Sequence, residues 1–227
     1  MKAYILKIDT PVSNQYAQIC AASCKEVGLK WEYFNGFQNM SGRMALAKLG
    51  FPMANEEPYR YIEYPTVHQK AMCCTAGHFA IWKKIAEGTD EVGVVLEHDA
   101  LMLQPITVAI PDNEIVVLGY KLTDPKQYDH VAAGKPKETI PIDGHEGAHA
   151  YAITKTTAQR LIGEILRQGI RSAIDNDYFI RHQRRTKVPL SIMSPTPAMG
   201  WLRESTIWAG SAARNYNFIP SFQKYYK

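Results

Sequence analysis

This 227-residue chain has no apolar run approaching the ~20 residues that span a bilayer. Met1 to Ile8 lacks the long apolar core of a signal peptide. Both absences predict a cytoplasmic protein. Cysteine is scarce, with four residues in all. Cys20 and Cys24 share the apolar stripe of an expected helix with Tyr16, Ser23 and Val27, where a thiol serves as a small core side chain. Cys73 and Cys74 are adjacent and match no zinc spacing, which argues against a four-cysteine zinc site. The Gly-x-Gly-x-x-Gly fingerprint of dinucleotide binding is missing after the first strand. No low-complexity linker interrupts the chain, so one domain over residues 1–227 is expected. Neither sign of charge dominates. The net +4 suits a phosphate-bearing substrate without being diagnostic of nucleic acid.

The most informative stretch present is Val92-Gly93-Val94-Val95-Leu96-Glu97-His98-Asp99. A continuous apolar run of this length predicts a strand buried on both faces, as in a parallel sheet. Ligands in open α/β sheets sit outside the carboxyl ends of the strands, where Glu97 and Asp99 fall. Two acids flanking one residue there can hold Mg²⁺ or Mn²⁺, because hard cations prefer oxygen ligands.

Upstream, Ala3 to Ile8 predicts a strand, with Asp9-Thr10-Pro11 ending it. Ser13 or Asn14 can cap a helix that runs to Val27 and stops at Gly28. Trp31 to Phe34 predicts the second strand of a β-α-β opening, hence an α/β fold. The turn from Asp9 to Asn14 is then a candidate nucleotide contact. Residues 35–70 give no periodic signal, although Tyr59, Tyr61 and Tyr64 among Glu56, Glu57 and Glu63 would suit a carbohydrate. Thr75 can cap a helix ending near Gly88. That would put His78 in the first turn, where a helix N-terminus favours anions.

Downstream, Ile115 to Tyr120 predicts another buried strand, and residues 121–147 a long polar connection. Ala148 to Ile153 predicts a strand. Thr156 or Thr157 can cap a helix burying Leu161, Ile162, Ile165 and Leu166, closed by Gly169. Asp175-Asn176-Asp177 opens a short helix, with Asp175 suited to capping. Arg181, Arg184, Arg185 and Lys187 form a basic cluster, either a solvated helix end or a phosphate contact. Leu190 to Met193 predicts a last strand, and Ser194-Pro195 the start of an irregular tail.

Taken in order, six segments resemble glycosyltransferase family 25, the lipooligosaccharide and collagen galactosyltransferase group. They are Tyr4 to Asp9, Gly77-His78 with Trp82, Val95 to Ala100, Gly147 to Tyr151, and Asp175 to Asp177, followed by Ser194-Pro195-Thr196-Pro197. Two positions depart from the family: Gly77 stands where it has Ser, and His98 where it has an acid. The resemblance implies a GT-A-like fold, a Rossmann-type mixed central sheet flanked by helices. It implies a metal-dependent inverting hexosyltransferase using a nucleotide-sugar donor, UDP-linked, with Mn²⁺ (or Mg²⁺) as cofactor and a saccharide or other hydroxyl acceptor. The residue roles carried over are Asp99 and Glu97 for metal, and Asp9, Thr10, His78, Lys83 and Glu97 for the nucleotide-sugar. His149 and Tyr151 fall to the acceptor, and Asp177, favoured over Asp175, to the catalytic base. Two other readings are compatible with the residues. One is a DNA glycosyltransferase acting on hydroxymethylated bases, with the Arg181–Lys187 cluster on phosphates. The other is a non-catalytic nucleotide-sugar-binding module.

Overall fold

The computed structural model describes residues 1–54, 65–121, 135–145, 147–180 and 185–200, and among these described residues are ten strands, four α-helices and one π-helical turn. The opening β-α-β unit forms as expected. β1 (Lys2–Lys7) and β2 (Trp31–Asn35) pair in parallel around α1 (Pro11–Glu26). Its cap lies earlier than the spacing suggested. Thr10 Oγ1 accepts from the Ser13 amide at 3.2 Å, and Pro11 takes the first helical position. Proline suits that place because its fixed φ is helical and its missing N–H has no partner to lose there. Ser13 Oγ instead accepts from the Ile8 amide at 3.0 Å and closes the turn.

The acidic strand is β3 (Val92–Glu97), followed by β4 (Ala100–Met102). Val94, Val95 and Leu96 are fully buried, as a two-faced apolar run requires. Its surroundings are mixed rather than all-parallel. β1 lies parallel on one side and β8 (Ala150–Thr154) antiparallel on the other. The stretch Ile115–Tyr120 is not one strand. It divides at Leu118 into β5 (Ile115–Val117) of the large sheet and β6 (Gly119–Lys121) of a small one. The polar connection contributes an edge strand, β7 (Glu138–Pro141). β9 (Leu190–Ser194) is followed by a further strand, β10 (Ala198–Gly200), where a tail was expected. The large sheet runs β2-β1-β3-β8-β5-β9-β7 and the small one β4-β10-β6.

Alternate residues feed two cores. Tyr4, Leu6, Val95, Tyr151 and Ile153 meet α2 (Gly42–Lys48), α3 (Pro65–Glu87) and α4 (Lys155–Gln168). Ala3, Ile5, Val94, Leu96, Ala150 and Ala152 meet α1 and the small sheet. This mixed central sheet flanked by helices is the architecture expected. Helix α4 is capped by Thr154, whose Oγ1 accepts from the Thr157 amide at 3.2 Å. Leu161 and Ile165 are buried as expected, but Leu166 is exposed.

Helix α3 differs most from expectation. It starts at Pro65, so Thr75 lies mid-helix. Its hydroxyl donates to the Ala71 carbonyl at 2.9 Å and accepts from the distant Ile174 amide at 3.0 Å. His78 is therefore in no first turn, and the helix-terminus argument for an anion contact does not apply to it. Gly77 has a steric cause: a Cβ there would sit 2.8 Å from Leu6 Cδ1 of β1. The bare backbone lets α3 settle onto the strand beside the cavity.

Candidate active site

Strand ends create the site. Beyond the carboxyl ends of β1, β2 and β3 lies a cavity of about 540 Å³, within the range of small-molecule sites. Lys7, Ile8 and Thr10 line it from β1 and its turn, and Gly36 to Met40 from the loop after β2. Gln69, Lys70, Cys73 and Cys74 face it from α3, and Glu97 and His98 from the end of β3.

Glu97 terminates a hydrogen-bonded relay through the core. Trp82 Nε1 donates to the Tyr151 hydroxyl at 2.7 Å, which lies 3.0 Å from His78 Nδ1. His78 Nε2 lies 3.1 Å from Glu97 Oε1. Each donor meets one acceptor if Tyr151 donates to Nδ1 and the imidazole carries its proton on Nε2. Phe79, Trp82 and Tyr178 brace the relay edge to face, with Trp82 and Tyr178 centroids 5.1 Å apart at 88°. Burial works to raise the Glu97 pKa. The His78 hydrogen bond and the neighbouring imidazoles of His149 and His98 outweigh it and bring the value down to about 2. Glu97 therefore faces the cavity ionised at neutral pH.

Asp99 is buried beside this strand end, and its charge acts on both Cys74 and Cys20. Burial, and then the charges of Glu97 and Asp175, push the Cys74 thiol well above its ordinary value. It thus stays protonated beside the two acids. Among the described residues, the donor atoms lying within 4.8 Å of one another are those of Cys74, His78 and Glu97. Asp99 is not among the residues that line the cavity, and its carboxylate does not join the Cys74, His78 and Glu97 donors.

The other candidate residues distribute unevenly. Thr10 reaches the cavity, while Asp9 is exposed in the turn and accepts from Asn14 Nδ2 at 3.2 Å. His78 and Tyr151 are completely buried, and His78 Nε2 meets the cavity-facing Glu97. His149, 5% exposed, packs against the backbone of Gly119 and Gly200, where a Cβ would come within 3.0 Å of its ring. Lys83 is not brought to the cavity. It pairs with Glu87 at 4.0 Å near the far end of α3.

The two late acids differ in their surroundings. They open a π-helical turn, Asp175–Ile180. Asp177 Oδ2 accepts from the Ser172 amide at 3.2 Å and lies 3.6 Å from Arg185 Nε. Burial outweighs that arginine and raises the Asp177 pKa. Asp175 is exposed, and its charge reaches the Cys74 thiol on the cavity wall. Arg185 is not a surface cation either. It is buried, donating to Gln168 Oε1 and the Gly169 carbonyl at 2.6 Å each. Arg181 and Arg184, like the Tyr59–Tyr64 and Glu56–Glu63 positions, fall outside the described residues.

Sequence reasoning missed Gln69, Lys70 and Cys74 as cavity residues. Pro65 was the available signal, since proline at a first helical position would have extended α3 backward over them.

No family model and no curated protein matches this chain. Solved structures do. The galactosyltransferase LgtC, in complex with donor and acceptor sugar analogs, is similar at 11% identity and a TM-score of 0.46, over 99% of this chain and 95% of that one. The glycosyltransferase GlyE of Streptococcus pneumoniae is similar at 7% identity and a TM-score of 0.49, over 99% of this chain and 60% of that one. A glycosyltransferase involved in glycosylating the major capsid of PBCV-1 is similar at 11% identity and a TM-score of 0.45, over 90% and 95%. Among the described residues, no helix is long and apolar enough to cross a membrane.

Proposed function

We propose that this protein is a metal-dependent inverting glycosyltransferase. It moves a hexose from a nucleotide-sugar, UDP-linked, to a hydroxyl acceptor, in the first instance a saccharide. The observation that carries this reading is the ionised Glu97 at the edge of a 540 Å³ cavity beyond the ends of three strands. A nucleotide diphosphate needs such a concave site with cations at its rim, and Lys7 and Lys70 line it. Thr10, at the turn into α1, is suited to contact the donor.

Glu97 and Asp99 would hold Mn²⁺ or Mg²⁺. When bound, the ion supplies Lewis-acid stabilisation of the diphosphate charge that develops as the glycosidic bond breaks. His78, fixed by Tyr151 and Trp82, orients the Glu97 carboxylate and holds it ionised. An inverting transfer also needs a base to take the acceptor hydroxyl proton, a contribution of ~10²–10⁴-fold. We assign it to Asp175, because Asp177 is occupied by Arg185 and the Ser172 amide.

The test is a transfer assay with a panel of nucleotide-sugars and simple saccharides, with Mn²⁺ and with EDTA. Turnover of a UDP-sugar that requires the metal is expected. Full turnover by metal-stripped protein, or no binding of any nucleotide-sugar to the intact chain, would overturn the reading.

A further inference from the structure

The metal pair proposed above uses two carboxylates. The same strand end presents a chemically different donor set. Cys74 and His78 are four residues apart on α3, so one helical face carries both. Glu97 meets them from β3. Cys74 Sγ lies 3.7 Å from Glu97 Oε1, His78 Nε2 lies 3.1 Å from the same oxygen, and all three donors fall within 4.8 Å of one another. Tetrahedral zinc bonds of about 2.0–2.3 Å to N, O and S place neighbouring ligands roughly 3.3–3.6 Å apart. Both contacts to Glu97 Oε1 stand near those separations, and Cys74 Sγ and His78 Nε2 are no more than 4.8 Å apart.

We propose that Cys74 Sγ, His78 Nε2 and Glu97 Oε1 form a three-ligand site for a thiophilic divalent cation of the zinc type, with its fourth position open to the cavity. Sulfur and imidazole ligands favour Zn²⁺ over Mn²⁺ and Mg²⁺, which prefer all-oxygen sets. Cys74 and Glu97 both line the cavity, which gives the ion an entry path. The supporting groups are already in position. Tyr151 sits 3.0 Å from His78 Nδ1 and takes the Trp82 Nε1 hydrogen at 2.7 Å. Metal-binding histidines are commonly fixed in this way through the second nitrogen.

The protons balance. Binding converts the Cys74 thiol to thiolate and releases one proton to solvent. The imidazole stays neutral, its proton passing from Nε2 to Nδ1, and the Tyr151 hydroxyl turns to accept from Nδ1. Cys73 takes no part, because its Sγ is directed to the Met40 carbonyl at 3.3 Å. The site stands independently of glycosyl transfer. If the transferase reading holds, it shares Glu97 with the hard-cation pair, so Zn²⁺ and Mn²⁺ exclude each other there.

The experiment is a Co²⁺ titration of the full, reduced, metal-stripped chain, followed in the near ultraviolet, where thiolate-to-cobalt charge transfer absorbs. One equivalent of Co²⁺ should produce that band, one proton should be released, and Zn²⁺ but not equimolar Mn²⁺ should abolish it. Cys74→Ser and Cys74→Ala should lose the band, with circular dichroism reporting the fold. Cys73→Ser and Asp99→Asn should keep it. Tyr151→Phe should weaken Co²⁺ binding about 10–100-fold. Absence of a band, its survival in folded Cys74→Ala, or its loss in folded Asp99→Asn overturns the proposal. None of these readouts needs turnover, so an inactive transferase would leave the result intact.

Discussion

Glu97 and Asp177 are both carboxylates beside a basic partner, yet their proton affinities move in opposite directions. At Glu97, burial is outweighed by the His78 hydrogen bond and nearby imidazoles, and the pKa falls to about 2. At Asp177, burial prevails over Arg185 and the Ser172 amide, and the pKa rises. The consequences for stability are opposite in sign. A depressed folded pKa contributes stability above the ordinary value of 4.5, which is lost as pH falls toward 2. A raised one contributes stability at low pH that is lost as pH rises past the ordinary value. Urea denaturation across this acid range should therefore show a fall in stability toward pH 2, and Glu97→Gln should flatten it. The late acids make a second residue-level case. Asp175→Asn should lower turnover by ~10²–10⁴-fold with donor affinity nearly intact, as loss of a base does. Asp177→Asn should instead leave turnover and donor affinity near the parent values, because this carboxylate is engaged by Arg185 and the Ser172 amide. Turnover and calorimetric donor affinity for both variants distinguish these roles. The sequence favoured Asp177 because Asp175 suited the helix cap. What sets the two apart in the fold is Arg185, a side chain eight residues beyond Asp177.

At the scale of elements, caps and close approaches decide where helices lie. Thr154 caps α4, and Thr154→Ala should cost ~1 kcal/mol in thermal or denaturant unfolding. Thr75 had the same capping chemistry but bonds Ala71 and Ile174 instead. A hydroxyl's preference for a backbone amide is satisfied equally well by a distant one. Gly77 provides a sharper test. Restoring the serine expected from the family resemblance puts a Cβ 2.8 Å from Leu6 Cδ1. Gly77→Ser should destabilise by about 1–3 kcal/mol through overpacking, and it should disturb the cavity that Leu6 lines. Adding Leu6→Ala should recover part of that loss, measured as a double-mutant cycle.

Across the whole molecule, the cavity gathers contributions from β1, the loop after β2, α3 and the end of β3. Its Lys70 ammonium should meet donor phosphate, so Lys70→Ala should weaken UDP-sugar binding about tenfold, a loss of ~1.4 kcal/mol. Stability should hardly change. Calorimetric titration of the donor checks this, and an unaltered affinity would remove Lys70 from the donor site. Chelation should act at the same scale. EDTA should abolish transfer, and Mn²⁺ or Mg²⁺ should restore it. Thermal unfolding with and without donor would show whether the ion and the nucleotide-sugar stabilise the chain together.

The sequence by itself determined the layered α/β architecture, because buried apolar runs and helical stripes are local patterns with fixed periods. It also determined that acids end the strand at Glu97, since chain order places them there. Three outcomes belonged to the tertiary structure. Antiparallel pairing of β8 with β3 was one, because an apolar run reads the same beside either kind of neighbour. Burial of His78 and Tyr151 in a relay was the second, as it joins residues 73 positions apart. Assembly of Cys74, His78 and Glu97 at one point was the third. It required α3 to begin at Pro65 and to lie against β1 at Gly77, a contact between distant segments that no local spacing encodes.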